Sequence, residues 1–520
     1  MVSRRLGFRL LALIATTATV TTSAPCEYRT LVAQANQVLG ANWDAELGAT
    51  LTSHGAPRVL DTTTSLLAAY ANAKQQPDRA RTEFMSLTGT QWSNGMLPRH
   101  IYAPSLAASL WIEDELIPGP LAWNVTGVSA AATSGLAALP LFSIVAERIY
   151  DETYDSSPHT ADAVSFAESV FDSLYKYHDY LHTERAASDG GDGLVILYHP
   201  WETELPTTSP VFAELMREAR ASGGLANWTA AADDSFPPQQ AALADFPGNA
   251  TFRSELALAQ CIRAQRYDSA KIERHCPFLL QDVQFNSVLQ AADQALWRIV
   301  KLIENFGSAS KAQATQSRIK NVKAWAAKKP VLGLWSQARQ TYLSEFGTGE
   351  DGGAPKLSPV DAEVVSNLAA LYGGSLPGSQ RDALTFSMMS SGGSGSFQCG
   401  SYPVPACGCA ECPAFDGGVW MVQNHFLERG LRLNNAVSVA DWVRNASINL
   451  VCNTSMLEDP SSIHADPWGF HRAFDQVTGV PLPDVHGNTS TAAAAAFVLT
   501  MREGRCMYAG NRPPRPPRRS

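Results

Sequence analysis

The feature that most constrains this chain is a helical stripe with no convincing strand pattern beside it. From Ala161 to Leu181, the residues Val164, Ala167, Val170, Phe171, Leu174, Tyr177 and Leu181 fall on one face at mostly three- and four-residue steps. The spacing predicts a long helix. Asp61 before Thr62–Ala73 reads as the N-cap of a buried, alanine-rich helix. Further helices are expected at about 133–150, 209–221, 282–306, 311–328, 359–373, 418–430, 438–452 and 490–502. The first of these is apolar on several faces and is expected deep inside, with Pro140 marking a kink or the true start. Val195–Tyr198 is the best short strand. The basic stretch Lys311–Lys329 reads as a solvated outer face. Many helices with few strands imply helical hairpins around one core.

Length sets the scale of that core. The chain has 520 residues, enough for about three domains at roughly 150 residues each. The low-complexity stretches Gly347–Pro355, Met388–Gln398 and Asp233–Pro247 are too short to read as linkers between independent domains. With 45% hydrophobic and 17% charged residues, the composition is globular. A net charge of −9 lacks the basic face of a nucleic-acid binder.

The amino terminus reads as a secretory signal over residues 1–24. Arg4, Arg5 and Arg9 precede an apolar run from Leu10 to Val20, followed by small residues to Ala24. An uncleaved anchor or buried first helix is the alternative. The apolar run is short of the ~20 residues that span a bilayer, so no membrane association is expected of the mature form. Six glycosylation sequons follow, at Asn124, Asn227, Asn249, Asn445, Asn453 and Asn488. Four of the nine cysteines crowd together as Cys399, Cys407, Cys409 and Cys412. Their spacing is not a clean pair of zinc knuckles, and disulfides in an oxidising compartment fit better. Cys261 with Cys276 could close another loop, while Cys26, Cys452 and Cys506 could pair elsewhere. The expected domain runs over 25–509, with a cysteine-rich loop near 388–416 and a proline- and arginine-rich tail over 510–520. No metal-ligand cluster, nucleotide-binding loop or other cofactor signature is evident.

Function is suggested by an ordered set of motifs. Gln91–Pro98 reads QWSNGMLP, and Thr133–Leu136 reads TSGL. Gly193–Glu202 reads GLVILYHPWE. Asp282–Asn286 and Gly417–Trp420 each open a helix, and Gly469–Asp475 with Thr478-Gly479 precedes the last one. In this order the set resembles the mannosylglycerate-hydrolase-like glycosidases, relatives of the processing α-glucosidases, from about Leu51 to Met501. The resemblance implies an all-α chain of six helical hairpins closed into an (α/α)6 barrel. It also implies a carbohydrate ligand bound where the connecting loops meet, with an α-linked glucoside, mannoside or glycosylglycerate hydrolysed by inversion. The substrate-binding shell it implies is Asp61, Trp92, His199, Trp201, Glu202 and Trp420. Plainer roles remain open for several of these: an N-cap for Asp61, a loop anchor for Glu202, a hydrogen-bonded structural histidine for His199.

The same resemblance exposes departures. The family's acid is the aspartate of WESGxDNSP, and Pro206 or Thr207 occupies its place here. The base is the glutamate of a GFxEYF-like segment, where this chain has Arg472, which is always protonated. The glutamine of SGxxQPP falls near Ala138, the arginine of RGPVW at Asp416, and an aromatic run has become Arg58-Val59-Leu60. Two readings follow. Either chemistry has moved to neighbours, with Glu204 as acid and Asp475 or Asp466 holding water, or the scaffold binds a glycan or protein without hydrolysing it.

Overall fold

The computed structural model describes residues 28–53, 57–112, 117–155, 160–186, 193–205, 209–225, 228, 249–348, 357–391, 395–400, 402, 404–410, 417–454, 470–482 and 491–501. The expected signal segment, the tail, Pro206, Thr207, Asp416, Asp466 and the sequons at Asn227 and Asn488 lie outside these residues.

Twelve helices form the framework: α1 (Tyr28–Ala41), α2 (Thr62–Asn72), α3 (Pro77–Thr88), α4 (Phe142–Asp155), α5 (Thr160–Thr183), α6 (Val283–Phe306), α7 (Ala309–Ala327), α8 (Val365–Leu368, continued as a 3-10 turn over Ala369–Gly373), α9 (Gly378–Met389), α10 (Met421–Leu433), α11 (Val437–Thr454) and α12 (Ala492–Met501). Packing arranges them in two rings. α2 packs on α4, α4 on α6, α6 on the α8 segment, that segment on α10, α10 on α12, and α12 back on α2. The inner ring therefore closes with six members. Outside it, α3 packs on α2, α5 on α4, α7 on α6, α11 on α10 and α1 on α12. α9 follows α8 but leans on the small strand Thr341–Tyr342. This is an all-α (α/α)6 barrel, as the motifs implied.

Composition explains the two rings. α12 reads AAAAAFVLTM, and Ala492 to Leu499 are all buried. Small side chains on every face let neighbouring backbones approach closely. α2 is likewise buried from Thr62 to Tyr70, and α6 is continuously buried from Val283 to Asp293. Outer helices carry one apolar stripe instead. On α5 the buried residues include Ala167, Val170, Phe171, Leu174, Tyr177 and Leu181. α7 buries Thr315, Val322 and Trp325 and exposes most of its lysines, as expected of a solvated face.

Three expectations needed correction. The helix placed at 133–150 begins only at Phe142. Residues before it run extended, with Thr133 bridging Ile101 and Ala137 bridging Pro98. Pro140 has no N–H to donate and biases its predecessor away from helical geometry, so the helix starts after it. The helix at 359–373 is reduced to 365–373, because Ser358–Pro359 pairs with Glu345–Gly347. Val195–Tyr198 makes only single bridges, Val195 to Ala186 and Leu197 to Leu280.

Two disulfides join described cysteines, Cys261–Cys276 and Cys399–Cys409, and Cys407 and Cys452 are also disulfide-bonded. No helix among the described residues is long and apolar enough to cross a membrane.

Candidate active site

Short strands deliver the chain to the starts of the inner helices. Val59–Asp61 pairs with His100–Tyr102 and runs into α2, Leu279–Gln281 leads to α6, and Val419–Trp420 pairs with Ala473–Phe474 and runs into α10. Asp61 caps α2 by accepting from the Thr64 N–H at 2.8 Å, and Asp282 caps α6 by accepting from the Phe285 N–H at 2.7 Å. Helix N-termini favour negative charge, so carboxylates are well placed here.

Glu204 lies where these starts meet. Its carboxylate accepts from Thr63 Oγ1 of α2 at 2.7 Å and from Arg99 Nη1 at 2.8 Å. Its backbone carbonyl accepts from Gln423 Nε2 of α10 at 2.6 Å. Arg99 reaches Asp61 Oδ2 at 3.5 Å, and His100 Nε2 lies 4.0 Å from the same oxygen. The four side chains form one polar knot at the mouth of the barrel, each 8–20% exposed.

Electrostatics separate the carboxyls. Burial pushes Glu204 above the ordinary carboxyl range; the charge of Arg99 opposes this and the charge of Asp61 adds to it. Asp61 stays low: burial would raise it, but the charge of Arg99 and the Thr64 amide hold it ionised. Burial lifts Asp282 to about 6. Burial, with the Arg99 charge, drives His100 down to about 4 and keeps it neutral at physiological pH. A raised carboxyl beside an ionised one is the arrangement that acid-assisted bond cleavage requires.

The residues expected to line the site divide into two layers. Asp61, Glu204 and the half-buried Trp420 stand at the mouth. Glu202, Trp201, His199 and Trp92 stand behind it, held by protein groups. Glu202 is 1% exposed, and both its oxygens are occupied by Arg185, at 3.1 and 2.7 Å, and by the amides of Ala137 and Tyr198. It is a loop anchor in this structure, so the sugar-binding role expected of it is not supported by its contacts. His199 accepts from the Trp201 amide and hydrogen-bonds the Glu255 carbonyl through Nε2 at 2.9 Å; burial lowers it to about 4. Trp201 donates to Glu255 Oε2 at 3.0 Å, and Trp92 donates to Thr133 Oγ1 at 3.0 Å. The QWSNGMLP loop that carries Trp92 turns at Gly95, whose φ is +98° and whose missing Cβ would lie 2.4 Å from the Lys176 carbonyl oxygen.

The water-holding side is less well provided. Asp475, expected there, accepts from the Val477 and Thr478 amides and the Thr478 hydroxyl, so one carboxylate oxygen is committed to its own turn. Burial pushes it up, but these hydrogen bonds hold it below the usual range. Arg472 is exposed, and its guanidinium lies over the Trp420 ring at 5.1 Å. Sequence reasoning missed Thr63, Arg99, His100 and Gln423 as parts of the site. Arg99 and His100 directly follow the quoted loop, but the partner of Arg99 is 105 residues away and no local pattern points to it.

A closed ring of inner helices with carboxylates gathered at their N-terminal ends is the framework of a six-hairpin glycoside hydrolase. Comparison with known proteins narrows this to one family. Residues 62–461 match the mannosylglycerate hydrolase MGH1-like glycoside hydrolase domain, and the chain belongs to that family. It is 29% identical over 484 residues to the mannosylglycerate hydrolase of Rubrobacter radiotolerans, covering 90% of this chain and 96% of that protein. It is 25% identical to mannosylglycerate hydrolase MGH1 of Selaginella moellendorffii, over 76% of this chain and 73% of that one. Its fold matches the GH63 mannosylglycerate hydrolase of Thermus thermophilus solved with Tris and D-glycerate. There the TM-score is 0.68 and identity 21%, covering 90% of this chain and 99% of the other.

Proposed function

We propose that this protein is a secreted glycoside hydrolase acting on glycosylglycerate-type substrates, with Glu204 as the proton donor to the leaving oxygen. The observation that carries the catalytic assignment is the position of Glu204: a buried, upward-shifted carboxyl tied to the first turns of two inner helices through Thr63 and Gln423. A donor must hold its proton until the glycosidic oxygen arrives, and burial favours that protonated form. The substrate class is supported by the relatives, which are named for mannosylglycerate and, in Mycolicibacterium hassiacum, for glucosylglycerate. An inverting route adds a water activated by a second carboxylate from the far side. Secretion and glycosylation are supported by the signal-like first residues and the six sequons, of which Asn124 and Asn445 lie exposed.

A second reading is favoured by one specific observation. Arg472 stands where the family places its base, stacked on Trp420, and one carboxylate oxygen of Asp475 is committed to its own turn. On that reading the protein binds a glycan without cleaving it. Turnover of mannosylglycerate and glucosylglycerate by the purified full chain separates the two. Sugar release that falls at least ~10²-fold in Glu204→Gln, with KM little changed, is the expected result. Saturable binding with no release establishes the second reading, and absence of both removes the substrate class.

A further inference from the structure

The sequence shows no metal-ligand cluster, but the fold assembles one away from the barrel mouth. His178 and His182 are four residues apart on α5 and so share a face. Asp293, on the inner helix α6, projects between them. His178 Nδ1 lies 2.7 Å from Asp293 Oδ1, and His182 Nε2 lies 3.0 and 3.1 Å from the two carboxylate oxygens. One donor atom from each residue can be chosen so that all three lie within 4.8 Å of one another. Ser143 Oγ lies 2.8 Å from the other nitrogen of His178. The Trp325 ring stacks on His182 at 4.8 Å and an interplanar angle of 14°. His178 is buried and His182 is 10% exposed, which leaves a path from solvent.

We infer that His178, His182 and Asp293 form a binding site for a zinc-type divalent cation, joining α5 to α6. The donor set of two imidazoles and one carboxylate suits zinc or cobalt rather than calcium or magnesium. Four-coordinate zinc with bonds of about 2.0–2.1 Å sets its donor atoms roughly 3.4 Å apart. The pairs observed at 2.7–3.1 Å need to open by about 0.3–0.7 Å to reach that spacing. Each imidazole presents to the ion the lone pair of the nitrogen that faces Asp293, and the proton displaced from it goes to solvent or to the ring's other nitrogen. For His178 that nitrogen is Nε2, which then donates to Ser143 Oγ, the outer partner a ligating histidine requires. Water completes the fourth position.

The test uses the full chain without a histidine tag, stripped with chelator and titrated with Co2+. The expected result is one ion per chain with a visible ligand-field spectrum, and a higher Tm on adding Zn2+. His182→Gln keeps an N–H that can donate to Asp293 but removes the imidazole lone pair. It is expected to weaken binding at least about tenfold and to lose the spectrum, while circular dichroism is unchanged. No stoichiometric binding by the folded wild type, or binding that survives His182→Gln, overturns the proposal and leaves a hydrogen-bonded clasp. Should that variant fail to fold, X-ray absorption at the zinc edge of the wild type decides: two imidazole nitrogens with oxygen support the site, and any other ligand set sinks it.

Discussion

Glu202 shows how far a residue's type can mislead about its work. A glutamate after a tryptophan in a sugar-enzyme motif invites a binding role. Here it accepts from Arg185 and two backbone amides within the core. Removing one partner of a buried pair strands the other charge, which costs about 3–5 kcal/mol. Glu202→Ala is therefore expected to lower unfolding free energy by that amount, read from the denaturant midpoint. A loss under about 1 kcal/mol, the scale of an exposed ion pair, would return Glu202 to the substrate-binding candidates. The cap at Asp61 was legible because capping is local: an aspartate followed by a helical run needs no distant information. The knot of Arg99 with Glu204 was not legible, since the two meet only after the barrel closes.

At the scale of elements, most barrel helices could be placed from periodicity alone, and their ends shifted by a few residues. The largest error came where chemistry opposed pattern. Thr133–Leu141 is apolar enough for a helix, yet Pro140 and pairing with the 97–101 segment hold it extended. α1 escaped notice although Leu31, Ala35, Val38 and Leu39 are buried at helical spacing. Its partner, α12, lies at the other end of the chain. The Cys261–Cys276 pairing is one of those the sequence left open. It ties the helix Asn249–Ala264 to the end of Ser269–His275, and the first of these carries Glu255 behind Trp201. A separation of 15 residues predicts about 3 kcal/mol from chain entropy. Replacing both cysteines by serine is expected to lower stability by that amount while the helical circular dichroism is retained. An unchanged melting curve would show that the packing of these helices needs no covalent tie.

For the whole molecule, buried ionisable groups set how stability follows pH. Burial raises Glu255 from 4.5 to about 8 and Glu83 to about 7. In the window between the unfolded and folded values the native state holds protons that the unfolded chain has lost. Stability therefore falls as pH rises through that window. Buried histidines act the other way. His199 and His471, lowered from 6.5 to about 4 by burial, cost stability as pH drops below 6.5. His100 and His425, lowered by burial to about 4 and about 3, add to this, so the buried histidines outweigh the raised carboxyls below pH 6.5 and the optimum lies near pH 6.5, with a decline on the alkaline side owed mainly to Glu255. Glu255→Gln keeps an acceptor for Trp201 and is expected to remove about 2 kcal/mol of the decline between about pH 6.5 and 8.5. Parallel profiles for the two proteins in a thermal melt series would refute this assignment.

The inner ring closes only when α12 seats between α10 and α2, and α1 covers α12 from outside. The last hairpin is thus assembled from both ends of the described chain. A ribosome delivers α1 first, ending at Ala41, and α12 last, beginning at Ala492. Throughout synthesis the growing barrel is an open crescent, with the buried faces of α2 and α1 waiting for a partner not yet made. Such a chain is exposed to misassembly for its entire emergence, and a holding chaperone has its natural client in that unfilled seam.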